Sequence, residues 1–442
     1  MYIRAMSIVM MMAVHGYICP TVPIFPESNV QQWFCIKNPC TSNRLRFQLD
    51  PSRKKILHKC TRTLLLEWVH QARMNYEELF SYAAQTSSAY MVRVLLAEAS
   101  LHSDTTEWVL HTESPLQLLA HNEKMIGQYT GTLFIKVHNG ALYFNDRRCQ
   151  HSIVVLQPHD GPIQFGDRMY SGTFMLIIAE SKVYLINLIE LEEYICGVLS
   201  TESWPGWPLE VNKVLAIAAR SYVMAMIMRN ASKIPYHIRN SNHHQTYGGA
   251  HAHEVHRAAV EQTRGVFLAY NNQPIIAMFD GCCGGVIPAH IADAVFNDAP
   301  YLARPYACTH CKRCKIYHWC AEYSTHDFLQ KIKKEAPHMR TIKGVQVAKI
   351  DKAGLVKQIK CKGQGKHSAC ITGKKLYSLL KEVKSYCFTV THQADRIRLQ
   401  GRGFGHHIGL CQWGAREKVR DGQDYVTILQ FYYPGTTFMK LV

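Results

Sequence analysis

The side chain in this sequence best placed to do chemistry is Glu202. In ELEEYICGVLSTESWPGWPLEVNKVLAIAARSYVMA the apolar residues Leu191, Tyr194, Ile195, Val198 and Leu199 recur at helical spacing, and the next step of three or four residues lands on Glu202. A carboxyl that points where buried side chains point, flanked by Trp204 and Trp207, is expected to be partly desolvated. Desolvation raises a carboxyl pKa, and a proton retained near neutral pH is what a general acid needs. The two tryptophans would add flat surfaces suited to sugar rings. The alternative for Glu202 is a helix-turn cap or an ion pair with Arg220.

Two other stretches carry reactive residue types. In GRGFGHHIGLCQWGAR, Gly401, Gly403, Gly405 and Gly409 surround His406. The spacing falls short of G-x-G-x-x-G and lacks a βαβ setting, which argues against a dinucleotide site. A loop presenting His406, Gln412 and Trp413 to a cleft is expected, the alternative being a tight strand-to-helix turn. Cys308-x2-Cys311-x2-Cys314-x5-Cys320 has metal-like spacing, and four thiolates can hold zinc tetrahedrally. It is not the bacterial ferredoxin run. In an exported chain the same cysteines could instead form disulfides, and the spacing supports either. The string AHAHEVHR (His251, His253, Glu254, His256) lacks the helical H-E-x-x-H pattern and is expected at a solvated helix start.

These residues need elements to hold them. Pro205 breaks the helix that ends at Glu202, and Pro208 with Glu210 begins a second one. Val211, Val214, Leu215, Ala218, Tyr222 and Ala225 form its inward stripe. From Tyr90 the alternation of Val92, Val94 and Leu96 predicts a strand, and a β-rich section runs on to about Asn187, with turns at Asn139-Gly140 and Asp160-Gly161. Asn271-Asn272 predicts a hairpin. A Lys-rich section runs from about Phe328 to Tyr386, and its residues 331–384 read as solvated surface that attracts anionic polymer. Helices and strands are interspersed without a βαβ rhythm, so the fold class is α+β: a mixed, β-rich core with several packed helices, and Glu202 at a helix end before a Trp/Pro turn.

Bulk properties set the frame. The 442 residues imply two or more units at about 150 residues each. With 47% hydrophobic and 19% charged residues the chain is neither disordered nor low in complexity. The net charge of +17 favours an anionic polymer, whether nucleic acid, membrane or acidic cell wall. No nucleic-acid-binding motif accompanies the charge. Residues 1–19 carry Arg4 followed by an apolar run from Ala5 to Val14, the pattern of a signal peptide or N-terminal anchor. Residues 20–86 read as a separate N-terminal extension.

Several motifs in order resemble the stage II sporulation protein D (SpoIID-like) family. They are the Glu202 region with WPLEVNKVLAIAARSY, HHQTYGG at 243–249, AAVEQTRGVFLAYNNQPIIAMF at 258–279, Gly284-Gly285, and RIRLQGRGFGHHIGLCQWGA at 396–415. The resemblance covers residues 87–440, which it implies form the catalytic domain. It implies an exported peptidoglycan lytic transglycosylase of the periplasm or cell envelope, cleaving MurNAc-GlcNAc strands stripped of stem peptides. Its role would be in wall remodelling or division. The alternative, also known among relatives, is a non-catalytic, glycan-binding enhancer of a cell-wall amidase. The resemblance puts the catalytic acid on Glu202 and substrate-binding roles on Arg220, Ser221, Tyr222, Gln245, Tyr247, His406 and Gln412. The implied partners are glycan strands and an amidase, with membrane association only through an uncleaved N-terminus. No cofactor is required, although zinc could sit at the Cys308–Cys320 cluster. Relatives that bind zinc just before Gln-x-Tyr use Cys there, whereas this chain has only His243 and His244. Their Ser-Gly-Gly is Cys283-Gly284-Gly285 here, which reads as packing.

Overall fold

The protein is described by a computed structural model covering residues 35–36 and 90–441, apart from 103–104, 231–232, 242–243, 251–252, 293 and 295. The N-terminal segment 1–19, the extension 20–86 except the short strand Cys35–Ile36, His243 and His251 lie outside the described residues. The chain divides into two compact units. Among the described residues, the first comprises 35–36, 90–204, 219–267 and 438–441; the second comprises 205–218 and 268–437.

The first unit is built on an eleven-stranded sheet. Its strands follow the order Ile238–Arg239, Met91–Ser100, Lys182–Glu190, Thr173–Ala179, Ile153–Pro158, Thr106–Ala120, Met125–His138, Ala141–Phe144 and Arg147–Arg148, with a further hairpin, Ile163–Phe165 and Arg168–Tyr170, on the edge of Thr106–Ala120. Pairing is antiparallel except where Ile238–Arg239 joins Met91–Ser100, so the sheet is mixed. The turn at Asn139-Gly140 has φ of 47° and 73°, the positive pair that a two-residue hairpin requires. The strands Thr173–Ala179 and Lys182–Glu190 are almost wholly buried, which is why their sequences read as continuous apolar runs rather than alternating ones.

Helix α1 (Leu191–Glu202) follows the strand Lys182–Glu190 without a loop. Glu190 caps it by accepting from the Glu193 N–H at 3.0 Å. Leu191, Tyr194, Ile195, Val198 and Leu199 are all buried, as their spacing predicts. The helix stops at Ser203, which turns to extended backbone ahead of Pro205. Helix α2 (Leu209–Asn230) is long and apolar enough to cross a membrane by length and composition, yet 83% of its most apolar window is buried in the protein. Helix α3 (Glu254–Gln262) is preceded by His253 at its N-cap; His253 and Glu254 are exposed, as expected of a solvated helix start, whereas His256 is buried.

The second unit holds two three-stranded antiparallel sheets. One is His318–Ser324, Arg396–Arg402 and Phe388–Gln393; the other is Gly344–Ile350, Val356–Lys362 and Ser368–Thr372. Helices α4 (Thr325–Lys331) and α5 (Gly373–Leu379) share their core with Phe328, Ile332, Met339, Ile359, Ile371, Leu376 and Leu399. The Lys-rich section is therefore not mere surface. Buried residues are interspersed among its lysines, as in Val356–Lys362, where Val356, Ile359 and Cys361 are buried, Lys357 and Lys360 are half-buried and Lys362 is exposed. Helices α6 (Gln412–Arg420) and α7 (Tyr425–Tyr432) complete the unit. The Asn271-Asn272 hairpin forms as expected, with φ of 50° and 60°.

Candidate functional site

Glu202 is the last residue of α1 and is half-buried. Its position follows from local physics: the helix must end before Pro205, and the buried face ends there with a carboxylate. The 245–249 segment supports it. The Thr246 N–H donates to Glu202 Oε1 at 3.0 Å, and the Thr201 hydroxyl donates to the Thr246 carbonyl at 2.6 Å. Two consecutive residues at the helix end thus hold both backbone polar groups of Thr246.

The flanking residues explain why that segment stays in place. The Tyr194 hydroxyl donates to Gln245 Oε1 at 3.1 Å, and Gln245 Nε2 donates to the Ala219 carbonyl at 3.3 Å. Tyr247 is fully buried, donates its hydroxyl to Asn187 Oδ1 at 3.0 Å, and packs its ring against Tyr194 with centroids 5.2 Å apart. The Gly248 N–H donates to the Gly197 carbonyl at 2.9 Å. This close approach is open only to glycine. A methyl on Gly197 would meet the Tyr247 ring and lie 2.6 Å from the Gly249 carbonyl oxygen. Gly197→Ala is accordingly expected to destabilise the protein by about 1–3 kcal/mol through overpacking. The check is the urea midpoint of the variant, and an unchanged midpoint would show that the segment is not clamped as described.

Arg220 is fully buried and engaged with a different carboxylate. Its Nε donates to Glu192 Oε1 at 3.0 Å, its Nη2 to Glu192 Oε2 at 2.5 Å and its Nη1 to the Val266 carbonyl at 2.9 Å. The Gly265 N–H adds a bond to Glu192 Oε1 at 3.0 Å. The paired charge is hydrogen-bonded on both sides, as a buried pair must be. Ser221 is buried next to it, and Tyr222 is buried with its ring edge toward His244 at 6.3 Å between centroids. Burial pushes the Tyr222 phenol above its ordinary range.

The glycine-rich segment lies in the second unit. His406 is buried, with Nε2 3.0 Å from the Phe279 carbonyl and Nδ1 accepting from the Ile408 N–H at 3.0 Å. A carbonyl only accepts, so Nε2 carries the proton and the ring is a neutral structural tie. Burial, with His407 beside it, pulls its pKa down to about 3. Gly405 has φ of 126°, and a Cβ there would crowd the Asp280 carboxyl, 3.1 Å from its Cγ. The segment is thus a tight turn laid against the Phe279–Cys283 stretch rather than a loop presenting His406 to a cleft. Gln412 opens α6 and is buried. Trp207 is also buried, edge-to-face with Trp413 at 5.5 Å between centroids, so this pair is core packing and not an open sugar platform.

The low His406 pKa has a measurable consequence. In the unfolded chain His406 gains its proton near pH 6.5, whereas the folded protein resists until about pH 3. Stability from this residue is complete above the unfolded pKa and falls as the pH drops, by about 1.4 kcal/mol per pH unit. His406→Gln, which keeps a donor for the Phe279 carbonyl, is expected to flatten the fall in urea-unfolding free energy between about pH 6.5 and 4. Parallel profiles for the two proteins would contradict this.

The expected metal ligands are regrouped by the fold. Cys308 and Cys311 are buried and belong to a set that could hold a metal ion, but its other members are Cys283 and Cys411. Cys314 lies 3.7 Å from Cys282, Sγ to Sγ. Cys320 is exposed, on the solvent side of the strand His318–Ser324. The disulfide alternative is not found: among the described residues no cysteine is bridged.

Comparison with known proteins matches two stretches of the chain to family models. The family model described as Stage II sporulation protein (SpoIID) matches residues 179–270, and one described as a Domain of unknown function (DUF8618) matches residues 305–409. The chain is 31% identical over 322 residues to an uncharacterized protein of Brachyspira hyodysenteriae, covering 71% of this chain and 84% of that relative. It is 27% identical over 270 residues to Stage II sporulation protein D of Bacillus amyloliquefaciens, covering 57% of this chain and 74% of the relative. This chain belongs to the stage II sporulation protein D family. It is also 25% identical over 359 residues to the Amidase enhancer of Bacillus subtilis, covering 70% of this chain and 50% of that protein.

Within this SpoIID-family chain, the fold brings Glu202, Gln245 and Tyr247 into one hydrogen-bonded assembly. Arg220, Ser221 and Tyr222 belong to the same unit but are buried, and His406 and Gln412 belong to the other. Sequence reasoning missed Thr246, which acts through its backbone N–H and so leaves no side-chain signal. It also missed Glu192, although a signal existed: Glu192 shares helical spacing with the buried Cys196 and Leu199.

Proposed function

We propose that this protein is a lytic transglycosylase that cuts peptide-stripped peptidoglycan strands between N-acetylmuramic acid and N-acetylglucosamine. The observation that carries this reading is Glu202, a half-buried carboxyl at the end of a rigid helix with one oxygen held by the Thr246 N–H. Protonated Glu202 donates to the glycosidic oxygen as the bond to C1 breaks. The resulting carboxylate then takes the proton of the sugar's own C6 hydroxyl, whose oxygen closes onto C1 and leaves a 1,6-anhydro end. No water attacks, so one carboxyl serves as acid and then as base, where hydrolytic glycosidases need two. Gln245 and Tyr247 act as positioning residues, holding the segment that holds Glu202. The +17 charge suits an anionic wall polymer, and the N-terminal apolar run suits export to the periplasm or cell envelope.

The likeness to an Amidase enhancer favours a second reading, a glycan-binding partner of a cell-wall amidase without cutting activity. The burial of Arg220, Tyr222 and Tyr247, which cannot touch a polymer, is compatible with it. Mass spectrometry of peptide-free glycans incubated with the purified protein separates the two. Anhydro-terminated fragments support the enzyme, and intact strands alongside a stimulated amidase support the enhancer.

A further inference from the structure

Thiols of the second unit converge on one point from three separate stretches of chain. Cys283 follows the short strand Phe279–Asp280, Cys308 and Cys311 bracket a tight turn, and Cys411 caps the N-terminus of α6. All four are buried, and their Sγ atoms lie within 4.8 Å of one another. Cys283 and Cys311 are 3.8 Å apart. A disulfide needs about 2.05 Å, whereas four zinc–sulfur bonds of about 2.3 Å make a tetrahedron with an edge of about 3.8 Å.

We propose that Cys283, Cys308, Cys311 and Cys411 are the ligands of a structural zinc site that ties these three stretches together. The surroundings are those of thiolates rather than of inert thiols. The Cys283 and Gly414 N–H groups both donate to Cys411 Sγ, at 3.2 and 3.3 Å, and the Tyr432 hydroxyl lies 3.1 Å from Cys308 Sγ. Such outer donors stabilise the charged sulfur and fix its direction. Gly414 is bare where the sulfurs need room: a Cβ would lie 2.7 Å from Cys308 Sγ and 3.2 Å from Cys411 Sγ. Zinc with four thiolates carries a net double negative charge, and Lys418, buried nearby and electrostatically coupled to Cys308, offsets part of it. Closed four-sulfur coordination leaves no open position for substrate, so the role is structural. Each thiol releases its proton to solvent as its sulfur binds, which makes occupancy rise with pH.

The test is elemental analysis of the full chain, purified under reducing conditions without chelator. At least one zinc per chain is expected, released as a mercurial reagent titrates the thiols. Cys283→Ser and Cys411→Ser are expected to lose most of it, and Cys320→Ser, at an exposed position, to keep it. A ligand variant that loses metal can also unfold, so exchange of cobalt into the unaltered chain supplies an independent reading. Thiolate-to-cobalt charge-transfer bands with the visible absorption of a tetrahedral site support the assignment. An unaltered chain with no zinc, one with iron in its place, or cobalt uptake without those bands overturns it.

Discussion

Glu202→Gln is expected to lower release of 1,6-anhydro glycan ends by about 10²–10⁴-fold, the range that a positioned general acid contributes. The amide keeps the shape of the carboxyl, and its oxygen can still accept from the Thr246 N–H, so the fold should be unchanged. Only the transferable proton is lost. The measurement is product analysis by mass spectrometry on peptide-free strands, with the urea midpoint and glycan pull-down as controls. Turnover close to that of the unaltered protein would remove Glu202 from the chemistry. Absence of anhydro ends from both proteins, with equal stimulation of an amidase, would move the assignment to the enhancer.

The second large effect concerns stability. Arg220→Met or Glu192→Gln breaks a pair in which both partners are buried, leaving one charge without its counter-ion. Such a loss costs about 3–5 kcal/mol. Replacing both residues together is expected to cost far less than the sum, because no uncompensated charge remains. Urea unfolding of the two single variants and the double variant measures the coupling. Single variants within about 0.5 kcal/mol of the parent would mean that the pair behaves like a surface contact. This arrangement also defines the work of Arg220: it ties α1, through Glu192, to the Val266 carbonyl, while the Thr246 N–H holds Glu202.

The sequence showed much of the scaffold and less of the site. Helix α1 was legible because its apolar period, the Pro205 stop and the terminal Glu202 all arise within a dozen neighbouring residues. The Asn139-Gly140 and Asn271-Asn272 hairpins were legible because positive φ is demanded locally and few residues supply it. The Lys-rich section reads as surface by composition, yet apolar residues spread through it, among them Ile332, Ile359 and Leu376, face a core that only the tertiary fold assembles. His406 reads as presentable to a ligand because four glycines surround it; Gly403 and Gly405 instead let the backbone press against Cys282 and Asp280, while Gly401 makes room for the Trp319 ring.

What the linear order alone determined is the identity of the family, the α+β class and the helix that ends on a carboxyl. Each depends on short-range periods or on ordered motifs. What the tertiary structure decided is partnership: Glu192 rather than Glu202 for Arg220, Trp413 for Trp207, and Cys283 with Cys411 in place of Cys314 with Cys320. The reason is physical. Backbone geometry dictates which neighbours share a face, but which distant side chains meet in a desolvated interior depends on how the faces pack, and Cys283 and Cys411 are brought together by that packing alone.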